Sequence, residues 1–127
     1  LVGSEMCIRD SVMADAERGL GRPEKALELG RTPEARQLEP EDRVELAIVL
    51  AGARHDLGQH DSALATLSRL DPTLHPETFS ELRLAYAYAD ALLSVQRENE
   101  AKEWFAAVAK ADEDGITDAD ERVRELS

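Results

Sequence analysis

Two histidine-aspartate pairs, His55-Asp56 and His60-Asp61, lie close together near the middle of the chain. Imidazole and carboxylate groups bind zinc and similar divalent ions, so this cluster is the first candidate for a metal site. Gly58 lies between the two histidines, and we expect a turn there. Two histidines five residues apart do not share one face of a helix. We therefore expect solvated turn residues here and predict no metal site.

A second candidate is the acidic stretch from Asp112 to Glu121, which is similar to a calcium-binding loop. An EF-hand loop needs acids at alternate positions, a glycine at the sixth and a glutamate at the twelfth. Counted from Asp112, the fifth and sixth residues are Ile116 and Thr117, so the pattern fails. The sequence predicts a solvated acidic turn that leads into a helix.

The remaining composition excludes several classes of function. No nucleophile motif and no glycine-rich phosphate loop occurs in the sequence, so we predict that the protein is not an enzyme and has no cofactor. The net charge of −12 comes from 27 acidic against 15 basic residues. Without a basic patch, binding to nucleic acid or to an anionic membrane is not expected. No apolar run is long enough to cross a membrane.

The elements that position these residues are predicted to be helices only. Alternating β-branched and aromatic residues are absent, and aromatic residues make up 4% of the chain, which leaves alanine and leucine to pack closely spaced helices. The predicted helices are Glu24–Leu29, a short turn at Pro33–Leu38, Pro40–Leu57, Asp61–Leu70, Pro76–Val95 as the longest, Asn99–Ala111 and a final short helix to Leu126. We expect a buried stripe along Leu82, Ala85, Ala89 and Leu92, buried Phe105, and Ile116, Ala119, Val123 and Leu126 covering the last hairpin.

Small residues recur at a regular interval in this pattern. Ala26, Ala63 and Ala101 each lie in a helix that follows a turn, at intervals of about 37 to 38 residues. Such a period is typical of helical hairpins that bury their apolar faces against their neighbours. We expect Ala63 and Ala101 to lie where two helices approach closely.

The chain resembles the tetratricopeptide-repeat family over about residues 12–111. The family places a small residue four positions before a large apolar one in the second helix of each hairpin, as in Ala63 and Leu67 and in Ala101 and Phe105. Ala26 matches only at the alanine, because Gly30 follows it at that spacing. The aromatic residues of the first helices are mostly lost, while Pro72 stands where the family has its terminating proline.

The resemblance implies an all-α fold, with antiparallel helical hairpins stacked as a short α-solenoid. It also implies a non-enzymatic protein–protein interaction scaffold that binds a peptide or partner protein in a concave groove. The groove residues that it implies are Ile48, Gly52, His55, Arg83, Tyr86 and Asp90. Tyr86 would be an aromatic anchor, and Gly52 would leave room for the partner. The alternative is a structural segment that docks onto another domain of its own longer chain.

The sequence also predicts how the chain is divided. Residues 1–11 form a segment whose first ten residues resemble a translated sequencing adapter, and they include the only cysteine, Cys7. Repeats are expected at about 12–38, 40–72 and 76–111, with an acidic turn and a capping helix at 112–127. We expect a fragment of a larger bacterial, cytoplasmic protein. Its first repeat would be incomplete, leaving Val12, Leu20, Ala26 and Leu27 partly exposed, so that the fragment self-associates.

Overall fold

A computed structural model describes residues 12–32 and 37–127, and within those ranges the protein is helical and contains no strand. This confirms the all-α prediction. The helices are α1 over 12–19, α2 at Pro23–Gly30, α3 at Pro40–Asp56, α4 at His60–Ser68, α5 at Phe79–Ser94, α6 at Glu98–Ala111 and α7 at Ala119–Glu125. None of these helices is both long and apolar enough to cross a membrane. The adapter-like segment and most of the predicted turn at Pro33–Leu38 lie outside the described residues.

The start of α5 differs from its prediction. Pro76 precedes the helix, and Phe79 is its first residue. Thr78 is the N-cap, because its side-chain oxygen accepts a hydrogen bond of 3.1 Å from the backbone N–H of Glu81. With 16 residues, α5 is therefore shorter than α3, which has 17. The prediction that α5 is the longest helix is wrong.

The same turn geometry joins α1 to α2, α3 to α4 and α5 to α6. In the middle joint, the N–H of Gly58 donates to the carbonyl oxygen of His55 at 3.0 Å. The N–H of Gln59 donates to the carbonyl oxygen of Arg54 at 2.8 Å. These are the two bonds of a Schellman motif, which requires a left-handed residue after the helix. The corresponding bonds are Gly21 to Arg18 and Arg22 to Glu17 in the first joint, and Gln96 to Leu93 and Arg97 to Leu92 in the third.

The left-handed residue of each joint has nearly the same backbone angle. The φ values are 75° at Gly21, 75° at Gly58 and 66° at Gln96. In every case the next helix begins two residues later. The joint is therefore repeated in one register along the chain, including the third copy, where glutamine replaces glycine.

The chain divides into two compact units, the first extending to Thr66 and the second from Leu67 to Ser127. In the first unit α2 packs against α3. The two helices come close at Gly30, where an added Cβ atom would overlap the side chain of Leu50. The buried cluster of this unit is Ala14, Ala26, Leu27, Leu38, Leu46 and Ala53.

In the second unit α5 packs against α6 in the antiparallel direction. Tyr86 contacts Phe105 and Tyr88 contacts Trp104, in both cases edge to face. The later residue on α5 contacts the earlier residue on α6, so the two helices run in opposite directions. The predicted stripe is buried, with Leu82 7% exposed and Ala85, Ala89 and Leu92 fully buried.

Other burial predictions have mixed outcomes. Ala63, Ala101 and Phe105 are fully buried, as expected, and Val12 and Leu20 are exposed. Ala26 and Leu27 were expected to be partly exposed, but both are buried in the first-unit cluster. Ile116 was expected to cover the last hairpin and is instead 62% exposed. It precedes α7, and only Ala119 of the proposed covering set is fully buried.

Candidate functional site

Tyr86 and Asp90, two of the predicted groove residues, share a polar network with α7. The Tyr86 hydroxyl donates to the carboxylate of Asp118 and accepts a hydrogen bond of 3.1 Å from Arg122. Arg122 also donates to Asp90 at 2.9 Å. Tyr86 contacts Asp118, and one helical turn further along both helices Asp90 contacts Arg122. These paired contacts indicate that α7 lies alongside α5 in the same direction.

Phe105 lies beneath this network. Its ring contacts Tyr86 at a centroid distance of 5.3 Å, and the guanidinium carbon of Arg122 lies 4.6 Å from the ring centroid. Burial raises the pKa of Tyr86 to about 12, and the hydrogen bond to Asp118 acts in the same direction. Tyr86 is thus a neutral hydroxyl that holds α5, α6 and α7 together.

Arg83 lies one turn before Tyr86 on α5, where its guanidinium carbon is 5.9 Å from the ring centroid of Phe79. The sequence placed Arg83 beside Tyr86 and Asp90 on one face. The structure pairs Tyr86 and Asp90 through Arg122 and places Arg83 near the exposed first residue of the helix.

The predicted groove residues of the first unit lie on α3. Ile48, Gly52 and His55 are half-buried. A Cβ atom added at Gly52 would lie 2.6 Å from Cζ of Arg18, and Arg18 donates to Asp56 at 2.9 Å. The space above Gly52 is therefore filled by an arginine of α1, which corrects the expectation that it is left for a partner.

His55 and His60 meet across the turn that Gly58 closes. Their Nδ1 atoms are 2.8 Å apart, and their ring centroids are 5.0 Å apart. We expected solvated turn residues, whereas both rings are half-buried and in contact with each other. The reasoning from helix faces does not apply, because the left-handed residue at Gly58 reverses the chain between them.

An open pocket of about 220 Å³ lies at the N-terminal end of α5 and the C-terminal end of α6 in the second unit. Leu82 lines it, together with two exposed apolar side chains, Phe79 at 56% and Ile116 at 62% exposure. We call it the Phe79–Ile116 pocket. Its acidic lining residues are Glu77, Asp112, Glu113 and Asp114. The pocket thus combines accessible apolar surface with negative charge.

Asp112 shapes one wall of this pocket. Its carboxylate accepts hydrogen bonds from the hydroxyl and backbone N–H of Thr117, both at 2.7 Å, and from the N–H of Ile116 at 2.9 Å. The Thr117 hydroxyl, followed by these backbone groups, lowers the pKa of Asp112 below its usual value. The acidic turn is therefore ordered by Asp112, and it holds Ile116 outward.

Sequence reasoning missed the Phe79–Ile116 pocket. Phe79 was expected inside the first turn of a helix, and Ile116 was assigned to the covering set. A usable signal was present in Thr78-Phe79-Ser80-Glu81, which is an N-cap followed three residues later by glutamate. That pattern places Phe79 at the first position of the helix, at the end of the hairpin.

Comparison with protein-family models, with curated proteins and with solved structures gives no match. The resemblance to tetratricopeptide repeats thus depends on the residues of the chain and on its repeated joint. Among residues 12–32 and 37–127, no group of three or more His, Cys, Asp or Glu side chains is arranged to hold a metal ion.

Proposed function

We propose that this chain is a non-enzymatic protein-interaction scaffold built of helical hairpins similar to tetratricopeptide repeats. The repeated Schellman joint supports this architecture, because it returns at the interval on which the sequence repeat was based. The alternating directions of α5, α6 and α7 also support it. A cytoplasmic, bacterial origin and a place within a longer repeat protein belong to the same proposal.

The observation that carries the binding function is the Phe79–Ile116 pocket. Large apolar side chains exposed on both sides of a depression are typical of interaction sites. The volume is below the roughly 300–1,000 Å³ of pockets that enclose small molecules. It is better suited to an apolar side chain of a partner peptide.

The charge around the pocket defines the rest of that partner. Glu77, Glu113 and Asp114 are exposed, and the whole chain carries a net charge of −12. A peptide with lysine or arginine on either side of its apolar residue would be attracted to this surface and oriented on it. We therefore propose a partner segment in which an aliphatic or aromatic residue is flanked by basic residues.

This proposal moves the site away from the groove implied by the family resemblance. Tyr86 already contacts Phe105, Asp118 and Arg122, and the space at Gly52 is filled. Ile48, Gly52 and His55 belong to the first unit, and Arg83, Tyr86 and Asp90 to the second. A shared groove formed by these six residues stays a prediction.

An enzymatic use of the acidic residues has less support. A catalytic acid in a closed site usually has a pKa raised by desolvation. Asp112 has the opposite perturbation, because hydrogen bonds stabilise its charged form. The hydrogen bonds that Asp112 accepts from Thr117 and Ile116 indicate that its role is to order the turn.

The test is selection from a random peptide library displayed on phage, with the full chain as bait. The expected enriched sequences carry an apolar residue flanked by lysine or arginine. In fluorescence anisotropy with the tightest peptide, Phe79→Ala and Ile116→Ala should each weaken binding by about 2 kcal/mol or more, as for interface hot spots. Leu20→Ala is the matched control, because Leu20 is equally exposed but lies outside the pocket. Enriched peptides without basic residues, or peptides that bind Phe79→Ala and Ile116→Ala at full affinity, would contradict the proposal.

A further inference from the structure

The two histidines at the joint between α3 and α4 bring two imidazole nitrogens into direct contact. His55 lies in the last turn of α3 and His60 is the first residue of α4. Their Nδ1 atoms face each other at 2.8 Å. The Schellman bonds of Gly58 and Gln59 fix the backbone between them, so the spacing of the two rings is set by the turn.

We infer that His55 and His60 form a two-histidine site for a divalent transition ion, with Cu²⁺ as the preferred metal. Imidazole suits copper, nickel and zinc, and Cu²⁺ prefers a square-planar arrangement. Two nitrogens at about 2.0 Å from an ion and at a right angle to each other are about 2.8 Å apart. In the metal-free pair the two Nδ1 atoms are 2.8 Å apart because they share a hydrogen bond, so both rings already lie within reach of one ion.

A tetrahedral ion needs its ligands slightly farther apart, at about 3.3 Å for the same bond length. In the Irving–Williams order Cu²⁺ also binds nitrogen ligands more tightly than Zn²⁺ or Ni²⁺. Intrinsic affinity therefore selects Cu²⁺ for this pair.

Binding requires both rings to turn and their mutual hydrogen bond to break. In the metal-free pair one Nδ1–H group donates a hydrogen bond to the other Nδ1, so the accepting ring carries its proton on Nε2. With an ion bound, both rings carry their proton on Nε2, and both must turn so that each Nδ1 lone pair points at the ion. Water occupies the other positions.

The sequence around the pair is acidic, because Asp56 and Asp61 follow the two histidines. The ion would link the end of α3 to the start of α4 in the first unit. Since it binds the folded turn and the unfolded chain lacks this arrangement, it should raise stability as its concentration increases.

The test is isothermal titration of Cu²⁺ into the full chain in a Cys7→Ser background, which removes the thiol as a competing ligand. We expect one Cu²⁺ per chain and an electron paramagnetic resonance spectrum that shows coordinated nitrogen. His60→Ala should weaken binding by more than the roughly 10–100-fold that loss of an outer-shell partner costs. His55→Ala should do the same, and in both variants the thermal shift caused by Cu²⁺ should disappear.

His75→Ala is the matched control, because His75 is the third histidine of the chain and is exposed. It should leave the stoichiometry, the affinity and the thermal shift unchanged. Circular dichroism without metal checks that the His55 and His60 variants are folded, and a folded His60→Ala suffices if His55→Ala unfolds. Equal Cu²⁺ affinity in His60→Ala and the parent, or a loss of binding in His75→Ala, would overturn the inference. Tighter binding of Zn²⁺ than Cu²⁺ would overturn the square-planar assignment.

Discussion

The hydroxyl group of Tyr86 donates a hydrogen bond to the carboxylate of Asp118, which joins the middle of α5 to the residue before α7. Arg122 donates to the same hydroxyl and to Asp90. With only seven residues, α7 is too short to be stable as an isolated helix. These contacts, together with Arg122 over the ring of Phe105, explain why it forms.

The first prediction concerns the ionisation of Tyr86. Burial and the bond to Asp118 stabilise its neutral form and raise its pKa to about 12, compared with about 10 in an unfolded chain. The stabilisation is complete below pH 10 and is lost as the pH rises to 12, because only the unfolded state ionises in that interval. Phenolate absorbance of Tyr88→Phe, in which Tyr86 is the only tyrosine, should give a midpoint near 12. A midpoint near 10 in the folded protein would contradict the network.

The second prediction concerns Phe105, which is fully buried. Phe105→Ala removes its contacts and leaves a cavity, so the free energy of unfolding should fall by about 3–5 kcal/mol in urea. Phe79→Ala makes the same chemical change at an exposed position, and it should change stability by no more than about 0.5 kcal/mol. Equal effects of the two substitutions would show that the burial of Phe105 is misassigned.

The buried stripe on α5 could be predicted from the sequence because helical periodicity records burial directly. Leu82, Ala85, Ala89 and Leu92 return at helical spacing and lie on one face. The position of Phe105 followed from the same pattern on α6. Repetition of the turn was also predictable, since Gly58 marks the left-handed residue that ends α3.

Polar contacts between distant residues could not be predicted in this way. Arg122 joins Asp90 and Tyr86 over separations of 32 and 36 residues, and no local pattern encodes such pairs. The third joint was recognised, although its left-handed residue, Gln96, lacks the usual glycine. The start of α5 was misplaced because Pro76 was taken as the first helical residue, whereas Thr78 forms the actual cap.

The third prediction compares the left-handed residues of two joints. Gly58 has a φ of 75° with open space around it, so Gly58→Ala should cost about 1–2 kcal/mol through backbone strain alone. Gln96 already bears that strain at a φ of 66°. Gln96→Gly removes this strain but adds conformational entropy to the unfolded chain. The net stabilisation should be up to about 1 kcal/mol. Urea unfolding of both variants measures the two effects, and changes of the same sign would contradict the shared geometry.

The fourth prediction concerns Asp112 in acid. The pKa of this carboxyl is lowered by the Thr117 hydroxyl and by backbone N–H groups. Its stabilising contribution is present above the unfolded value of about 3.9 and is lost as the pH falls through the lower folded value. Asp112→Ala should therefore destabilise the protein at pH 7, and the difference from the parent should shrink below pH 4. A difference that stays constant between pH 7 and pH 3 would show that the ionised carboxylate does not order the turn.

The last prediction concerns self-association. Val12 is 61% and Leu20 66% exposed, and both belong to the first unit. Burying a leucine contributes about 1.5–3 kcal/mol, so the double substitution Val12→Ser and Leu20→Ser should weaken association about tenfold or more. Sedimentation equilibrium over a wide concentration range measures it. Replacing Phe79 and Ile116 by serine is the contrast, because it removes equally exposed apolar groups from the second unit. If only the substitutions at Phe79 and Ile116 abolish association, the chains associate through the Phe79–Ile116 pocket. A strictly monomeric parent protein would exclude both surfaces.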